Sequence, residues 1–217
     1  PTRRSSDLDL KKCSRFWIIL FKTILSKLYH WKIYVVGSVE YQYPNHLFQA
    51  GYFLDKKYYD ENTIDFKHLL LSEKNQSLLK DIQNSNSVGV HIRRGDYMTK
   101  QNLVIFGNIC TQKYYHDAIR IITEKVNDAV FYVFSDDISW VQTHLDIPNA
   151  VYVNWNTGES SIYDMYLMSS CKYNIIANST FSYWAARLNK KTNMVIYPSK
   201  WYNTFTPDIF PESWCGI

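Results

Sequence analysis

The stretch "SVGVHIRRGDYMTK", residues 87–100, decides how this chain is read. It begins as a short β-branched apolar run and ends in His91, Arg93, Arg94, Gly95 and Asp96. A buried strand that releases charge at its carboxyl end suits a parallel α/β sheet, where ligands bind beyond the carboxyl ends of the strands. Arginine's planar fork matches phosphate oxygens and stays charged at any working pH. Two arginines beyond a strand end therefore point to a diphosphate. Gly95 is expected to allow a sharp turn, and Asp96 to orient one guanidinium or act as a base.

The alternation continues downstream. Residues 111–128 have helical spacing, with Thr111 as cap and Tyr115, Ile119 and Ile122 on one face. "AVFYVFSDD" (129–137) reads as a strand running into Asp136 and Asp137, "ISWVQTHL" as a short helix, and "AVYVNWN" (150–156) as a strand. A helix over 160–173 follows, then strand "NIIANS", helix "TFSYWAARLNK", and "NMVIYPSKW" as the last strand. Five apolar strands alternating with helices predict a Rossmann-type parallel sheet covered on both faces. The tips "HIRRGD", "FSDD" and "ANST" then share one rim. Asn178, Ser179 and Thr180 begin a helix whose free N–H groups suit a phosphate. Asp164 lies on the preceding helix, and a carboxylate can accept from both N1–H and the amino group of guanine. Together these features suggest a guanine nucleotide diphosphate compound.

Upstream, "KIYVVGSVEY" (32–41) reads as a strand with a turn, and 63–86 has helical spacing. Residues 1–15 read as a loose polar tail, not native to the folded domain. Residues 16–30 form an amphipathic helix read as packing on the body, with a membrane surface as the alternative. The apolar run 16–25 is only half the length of a spanning helix, which needs about twenty apolar residues.

Composition narrows the class. A 217-residue chain with 46% hydrophobic and 20% charged residues builds a packed core. Tyrosine alone numbers 18, and aromatics serve as core or as sugar platforms; "FSYWAA" is read as core. A net charge of +4 is too mild for nucleic acid as the main partner and fits an anionic small ligand or a weak attraction to an acidic membrane surface. Cys13, Cys110, Cys171 and Cys215 form no C-x-x-C pair, so neither metal nor disulfide framework is expected, and a reducing compartment is. Asn75-Gln76-Ser77 and Asn178-Ser179-Thr180 match the glycosylation pattern.

Plainer roles compete for each residue. His91 suits a satisfied structural histidine, and Arg93 and Arg94 suit one salt bridge to Asp96 plus one solvated arginine. Asp136 or Asp137 suits a cap on the following helix, and Asp164 a surface pair with Lys172. Arg94-Gly95-Asp96 is also an adhesion tripeptide, but adhesive use needs an exposed loop tip. Asp136-Asp137 is not the D-x-D of metal-dependent transferases.

The stretches "VHIRRGDY", "FSDD", "YDMYLMSSCKYNIIANSTFSYWAARLN" and "GYFLDKKYY" resemble the bacterial α-1,2-fucosyltransferases of glycosyltransferase family 11, over about Gly51 to Trp201. The resemblance implies a two-domain GT-B-type fold, with residues 16–86 the remnant of an acceptor-side domain and 87–217 a Rossmann-like domain for GDP-fucose. It implies inverting transfer of L-fucose from GDP-fucose to the 2-hydroxyl of a terminal galactose, without a metal or other cofactor. Arg93 and Arg94 are carried over as donor-phosphate arginines, His91 and Asp96 as catalytic or supporting members, and Asp164 as the guanine reader. Asp136, Asn178, Ser179, Thr180 and Ser182 complete the expected donor site. The acceptor is expected to be a galactose-terminated glycan, lipid-linked at the cytoplasmic membrane face, with segment 97–110 as an acceptor loop. The family's opening G-[LM]-G-N-Q-[LM]-F-Q-Y turn is not matched by "YPNHLFQAG" (43–51), so the chain is read as N-terminally incomplete. The alternative reading is a non-catalytic remnant that binds the nucleotide sugar.

Overall fold

A computed structural model describes residues 65–217 together with two short strands, β1 (Tyr34–Val36) and β2 (Phe48–Ala50). The chain divides into two compact units, Pro1–Asp60 and Glu61–Ile217. In the first, β1 and β2 pair in parallel, with Tyr34 opposite Phe48. β1 falls within the strand expected at 32–41; the expected tail, the 16–30 helix and the turn after β1 lie outside the described residues.

The second unit starts upstream of the boundary expected at 87, because helix α1 (Glu73–Asn84) belongs to it. The helix is shorter than the expected 63–86. Its start is set by Ser72, whose Oγ accepts the Asn75 N–H at 3.3 Å, satisfying one of the orphan donors of the first turn. Leu78 and Ile82 are its buried apolar stripe.

The six strands are β3 (Asn86–Ile92), β4 (Ala129–Ser135), β5 (Ala150–Val153), β6 (Tyr173–Ile175), β7 (Met194–Tyr197) and β8 (Cys215–Gly216). They pair in the order β5-β4-β3-β6-β7-β8, every pair parallel. The expected last strand is therefore not the last. β8 has only two residues, too few to leave a period, and it is held by Ile217 N–H donating to Tyr197 O at 3.1 Å.

Side-chain alternation along the strands supplies two cores. Val88, Val90 and Ile92 of β3 join Phe131 and Val133 of β4 on one face, against α3 (Gln112–Lys125) and α4 (Ile138–His144). Tyr132 and Phe134 face the other way, against α1, α5 (Ser161–Ser169) and α6 (Thr180–Arg187). Each fully buried aliphatic side chain contributes about 1.5–3 kcal/mol. Gly89 faces the second core; a Cβ there would lie 3.0 Å from Met168 Cγ. The aromatic run of α6 is core as expected: Tyr183 is buried and its hydroxyl donates to Ile209 O at 3.1 Å.

Segment 97–110 is not a loop. It holds the end of a 3₁₀ turn (Gly95–Met98) and the seven-residue helix α2 (Lys100–Phe106), capped by Thr99. The α2 sequence KQNLVIF is too short for periodicity to reveal. Tertiary hydrogen bonds hold it: Asn203 donates from Nδ2 to Val104 O (3.0 Å) and Gly107 O (3.2 Å), and from its N–H to Ile105 O (2.9 Å). Those bonds satisfy carbonyls that a helix end otherwise leaves unpaired.

The strand order also locates the rim. From β3 the chain adds β4 and β5 on one side, then returns to place β6 on the other. The crevice beyond the carboxyl ends of β3 and β6 is the topological switch point, where ligands of open α/β sheets bind.

Candidate functional site

The tips of β4, β3 and β6 are neighbours on that rim. Arg93 donates from Nε and Nη2 to Asp96 Oδ1, at 3.1 and 2.7 Å, and its Nη1 lies 3.0 Å from Asp136 Oδ2. Arg94 donates from Nε to Asp137 Oδ2 at 3.1 Å, and its guanidinium carbon lies 3.7 Å from the centroid of the Trp140 ring. Its backbone N–H donates to Asp136 Oδ1 at 2.9 Å. Asp136 thus holds the turn and one guanidinium together. Neither arginine is simply solvated, and the adhesion tripeptide is no free loop tip, because both its charged members are engaged.

Asp137 is the cap of α4: its Oδ1 accepts the Trp140 N–H at 3.1 Å. That bond, and then Arg94, hold its carboxyl below the ordinary carboxylate range. Gly95 opens the 3₁₀ turn, the sharp turn expected of it, and its missing side chain matters as well. It does not take a positive φ, but a Cβ there would fall 2.5 Å from Asp136 Oδ2.

His91 sits at the end of β3, 5% exposed, with its ring centroid 5.0 Å from that of Phe181 in α6. The Tyr115 hydroxyl donates to its carbonyl at 3.1 Å and fixes the strand end. Burial, with Arg93 adding to it, pushes the imidazole down to about 3, so the ring is neutral. Its Nδ1 is buried without a hydrogen-bond partner among the described residues.

The β6 tip is rigid. Asn178 is 2% exposed and donates from Nδ2 to Trp201 O (3.1 Å) and Phe106 O (3.3 Å). Its Oδ1 accepts from the Cys110 thiol at 3.3 Å, and its carbonyl accepts the Tyr97 hydroxyl at 2.9 Å. Ser179 caps α6 without a side-chain bond; Ser182 Oγ is buried and donates to the carbonyls of Ala177 and Ser179. What remains available is the first turn of α6, where the N–H groups of Thr180, Phe181 and Ser182 have no intrahelical acceptor.

Asp164 forms a separate group. Its Oδ1 accepts from Asn156 Nδ2 at 2.7 Å, and no ion pair to it occurs among the described residues. Burial pushes its carboxyl up to about 7 against the opposing Asn156 amide. The pair with Lys172 does not form; Lys172 Nζ points to Asn86 Oδ1 at 3.5 Å. Both glycosylation-pattern asparagines, Asn75 and Asn178, are buried with their amides engaged, which closes them to modification in the folded chain. Cys110, Cys171 and Cys215 are free thiols, and among the described residues no group of three or more His, Cys, Asp or Glu could hold a metal ion.

A profile of glycosyl transferase family 11 matches residues 14–217. The chain belongs to glycosyl transferase family 11. The match extends well beyond Gly51–Trp201. An Escherichia coli alpha-1,2-colitosyltransferase is 35% identical over 196 residues, 83% of this chain and 63% of that protein. The E. coli O-antigen biosynthesis glycosyltransferase WbnK is 44% identical over 122 residues, 55% of this chain and 40% of that protein. Galactoside alpha-(1,2)-fucosyltransferase 2 of Pongo pygmaeus is 28% identical over 163 residues, 69% of this chain and 48% of that protein. The chain thus spans 40–63% of the length of these relatives.

In this family 11 chain the structure adds Trp140 and Asn156 to the residues that position the site. Neither carries a signal in the sequence: Trp140 passes for a core residue of a short helix, and Asn156 for a loop asparagine. Replacing Gly95 by alanine is expected to push Asp136 away from Arg93 and from the Arg94 amide. The cost in stability is expected to be under about 1 kcal/mol, that of loosened part-exposed ion pairs, and the main readout is weakened nucleotide binding in titration calorimetry. Unchanged binding in Gly95→Ala would mean that Asp136 does not set the arginine geometry.

Proposed function

We propose that this chain carries the donor side of an inverting transferase, moving L-fucose from GDP-fucose to the 2-hydroxyl of a terminal galactose on a glycan. The carrying observation is the arginine pair at the switch point, aimed by Asp96, Asp136 and Asp137 beside the open first turn of α6. In the reaction the acceptor oxygen bonds to fucose C1, the bond from C1 to the β-phosphate oxygen breaks, and GDP leaves with the electron pair. The acceptor proton passes to a base. Arg93 is the more exposed arginine and supplies positive charge to the leaving phosphate, in place of a metal ion. Of the two base candidates, His91 is poorly matched to proton transfer near neutrality because burial has lowered its basicity. Asp96 faces solvent and is the better placed of the two.

The colitosyltransferase relative favours a second donor, because colitose is L-fucose without its 3-hydroxyl. The same phosphate and guanine contacts serve both. The acceptor is read as a lipid-linked glycan at the inner face of the cytoplasmic membrane. Among the described residues no helix is long and apolar enough to cross a membrane.

Thermal unfolding in the presence of GDP, UDP or ADP tests the donor reading. A ligand that binds only the folded state raises the midpoint by mass action. GDP is expected to raise it, with UDP and ADP doing so little. Equal shifts from all three, or none, would overturn the reading. Transfer from GDP-fucose and GDP-colitose to galactose-terminated oligosaccharides then separates the two sugars.

A further inference from the structure

We infer that Asn156 is a positioning residue that aligns the Asp164 carboxylate for guanine, and that Asn75 and Trp155 hold Asn156 in place. This rests on the reading of Asp164 as the base reader.

Asn75 and Asn156 exchange two hydrogen bonds through their amides: Asn75 Nδ2 donates to Asn156 Oδ1 at 3.0 Å, and Asn156 Nδ2 donates to Asn75 Oδ1 at 3.1 Å. The Trp155 indole N–H donates to the same Asn75 oxygen at 2.7 Å. Asn156 Nδ2 has two hydrogens, and the second goes to Asp164 Oδ1 at 2.7 Å. Every polar atom of the Asn156 amide is therefore committed. A flip of that amide would set its oxygen against the Asn75 oxygen, which only accepts and already takes the Trp155 N–H. The network admits one orientation.

Asn75 is 1% exposed and anchored in the first turn of α1 by the Ser72 cap. Lys74, its neighbour, lies over the Trp155 ring, 3.7 Å from the centroid. The platform beneath Asn156 is thus built from helix α1, and it fixes the loop after β5.

The consequence is chemical. A lone carboxylate on a helix rotates about its last bond. Here one oxygen is pinned by a short amide bond, and no cation competes for the other among the described residues. The remaining acceptor capacity is left for a ligand that brings two N–H donors side by side, which guanine does through N1 and the exocyclic amine. Hypoxanthine brings only the first.

The test compares GDP with IDP, which lacks the exocyclic amine, by titration calorimetry on the parent, Asn156→Ala, Asn75→Ser and Asp164→Asn chains. In Asn156→Ala the preference for GDP over IDP is expected to fall by roughly tenfold, with IDP, which keeps one bond to the carboxylate, weakened less than GDP. Because the amide favours the ionised carboxylate, its loss is also expected to move the pH midpoint of GDP binding upward, a change that a merely structural role would not produce. An unchanged preference in folded Asn156→Ala, beside its loss in Asp164→Asn, overturns the positioning role and leaves the guanine reading intact. An unchanged preference in Asp164→Asn overturns the guanine reading itself. If Asn156→Ala does not fold, Asn75→Ser decides: a reduced preference supports the relay, and an unchanged one overturns it.

Discussion

Arg93→Ala is expected to lower the transfer rate by about a hundred- to a thousandfold, the usual loss when one pre-organised donor to a developing negative charge is removed. Thermal stability is expected to stay close to that of the parent, since Arg93 is partly exposed and exposed ion pairs contribute under about 1 kcal/mol each. Arg93→Lys keeps the charge but lacks the planar fork that spans Asp96 and Asp136, so only a small part of the rate should return. Arg94→Ala should behave differently. Its guanidinium is stacked on Trp140 and tied to the cap of α4, so removal should cost about 1–2 kcal/mol of stability as well as donor affinity. Single-turnover transfer rates at saturating donor, measured beside urea unfolding, separate the two. A rate within a few-fold of the parent in Arg93→Ala would remove this arginine from the chemistry.

The second large effect has opposite signs for binding and for stability. A carboxyl whose folded pKa lies above its unfolded value stabilises the fold while it is protonated. For Asp164 that contribution is complete below about 4, is lost as pH rises, and is gone above about 7. At pH 8 the parent therefore carries a buried, singly hydrogen-bonded carboxylate. Asp164→Asn keeps the shape and the acceptor for Asn156 without the charge. It is expected to stabilise the fold at pH 8 by roughly 1–3 kcal/mol and by almost nothing at pH 4, a rise of several degrees in the midpoint at the higher pH. GDP-dependent stabilisation should meanwhile fall to the level seen with IDP, because one of the two guanine N–H groups would face an amide hydrogen. In the parent, GDP binding should weaken as pH falls through about 7, whereas in the variant it should be flat. A variant that is less stable than the parent at pH 8 would contradict the raised pKa.

The parts of this architecture that the sequence exposes are those with a period. β3 and β4 announce themselves as β-branched runs, and α3 by Thr111 and its apolar stripe, because burial on both faces of a parallel sheet leaves little choice of residue. At the rim the sequence shows that arginines and aspartates gather at strand ends, but not which carboxylate pairs with which guanidinium. What is hidden depends on partners distant in sequence. α2 is a helix because Asn203 satisfies its end, and "KQNLVIF" alone does not say so. The strand order that sets "HIRRGD" beside "ANST" is a property of the crossovers. Asn75 resembles a modification site because its role, a buried amide facing another amide, has no pattern along the chain. Gly95 was legible as a turn residue, and the 3₁₀ turn starts there; the neighbouring aspartate that fills its Cβ space was not legible.

The cap that Asn203 places on α2 has a consequence for synthesis. A seven-residue helix is far below the length at which an isolated helix persists in water. Asn178, which donates to the α2 carbonyl of Phe106, is translated long after the helix, and Trp201 and Asn203 later still. The ribosome adds residues at about 5–20 per second, so the arginine turn and the segment behind it wait several seconds for the residues that close over them. During that interval the Met98, Val104 and Ile105 side chains lie on a tether without its fastening.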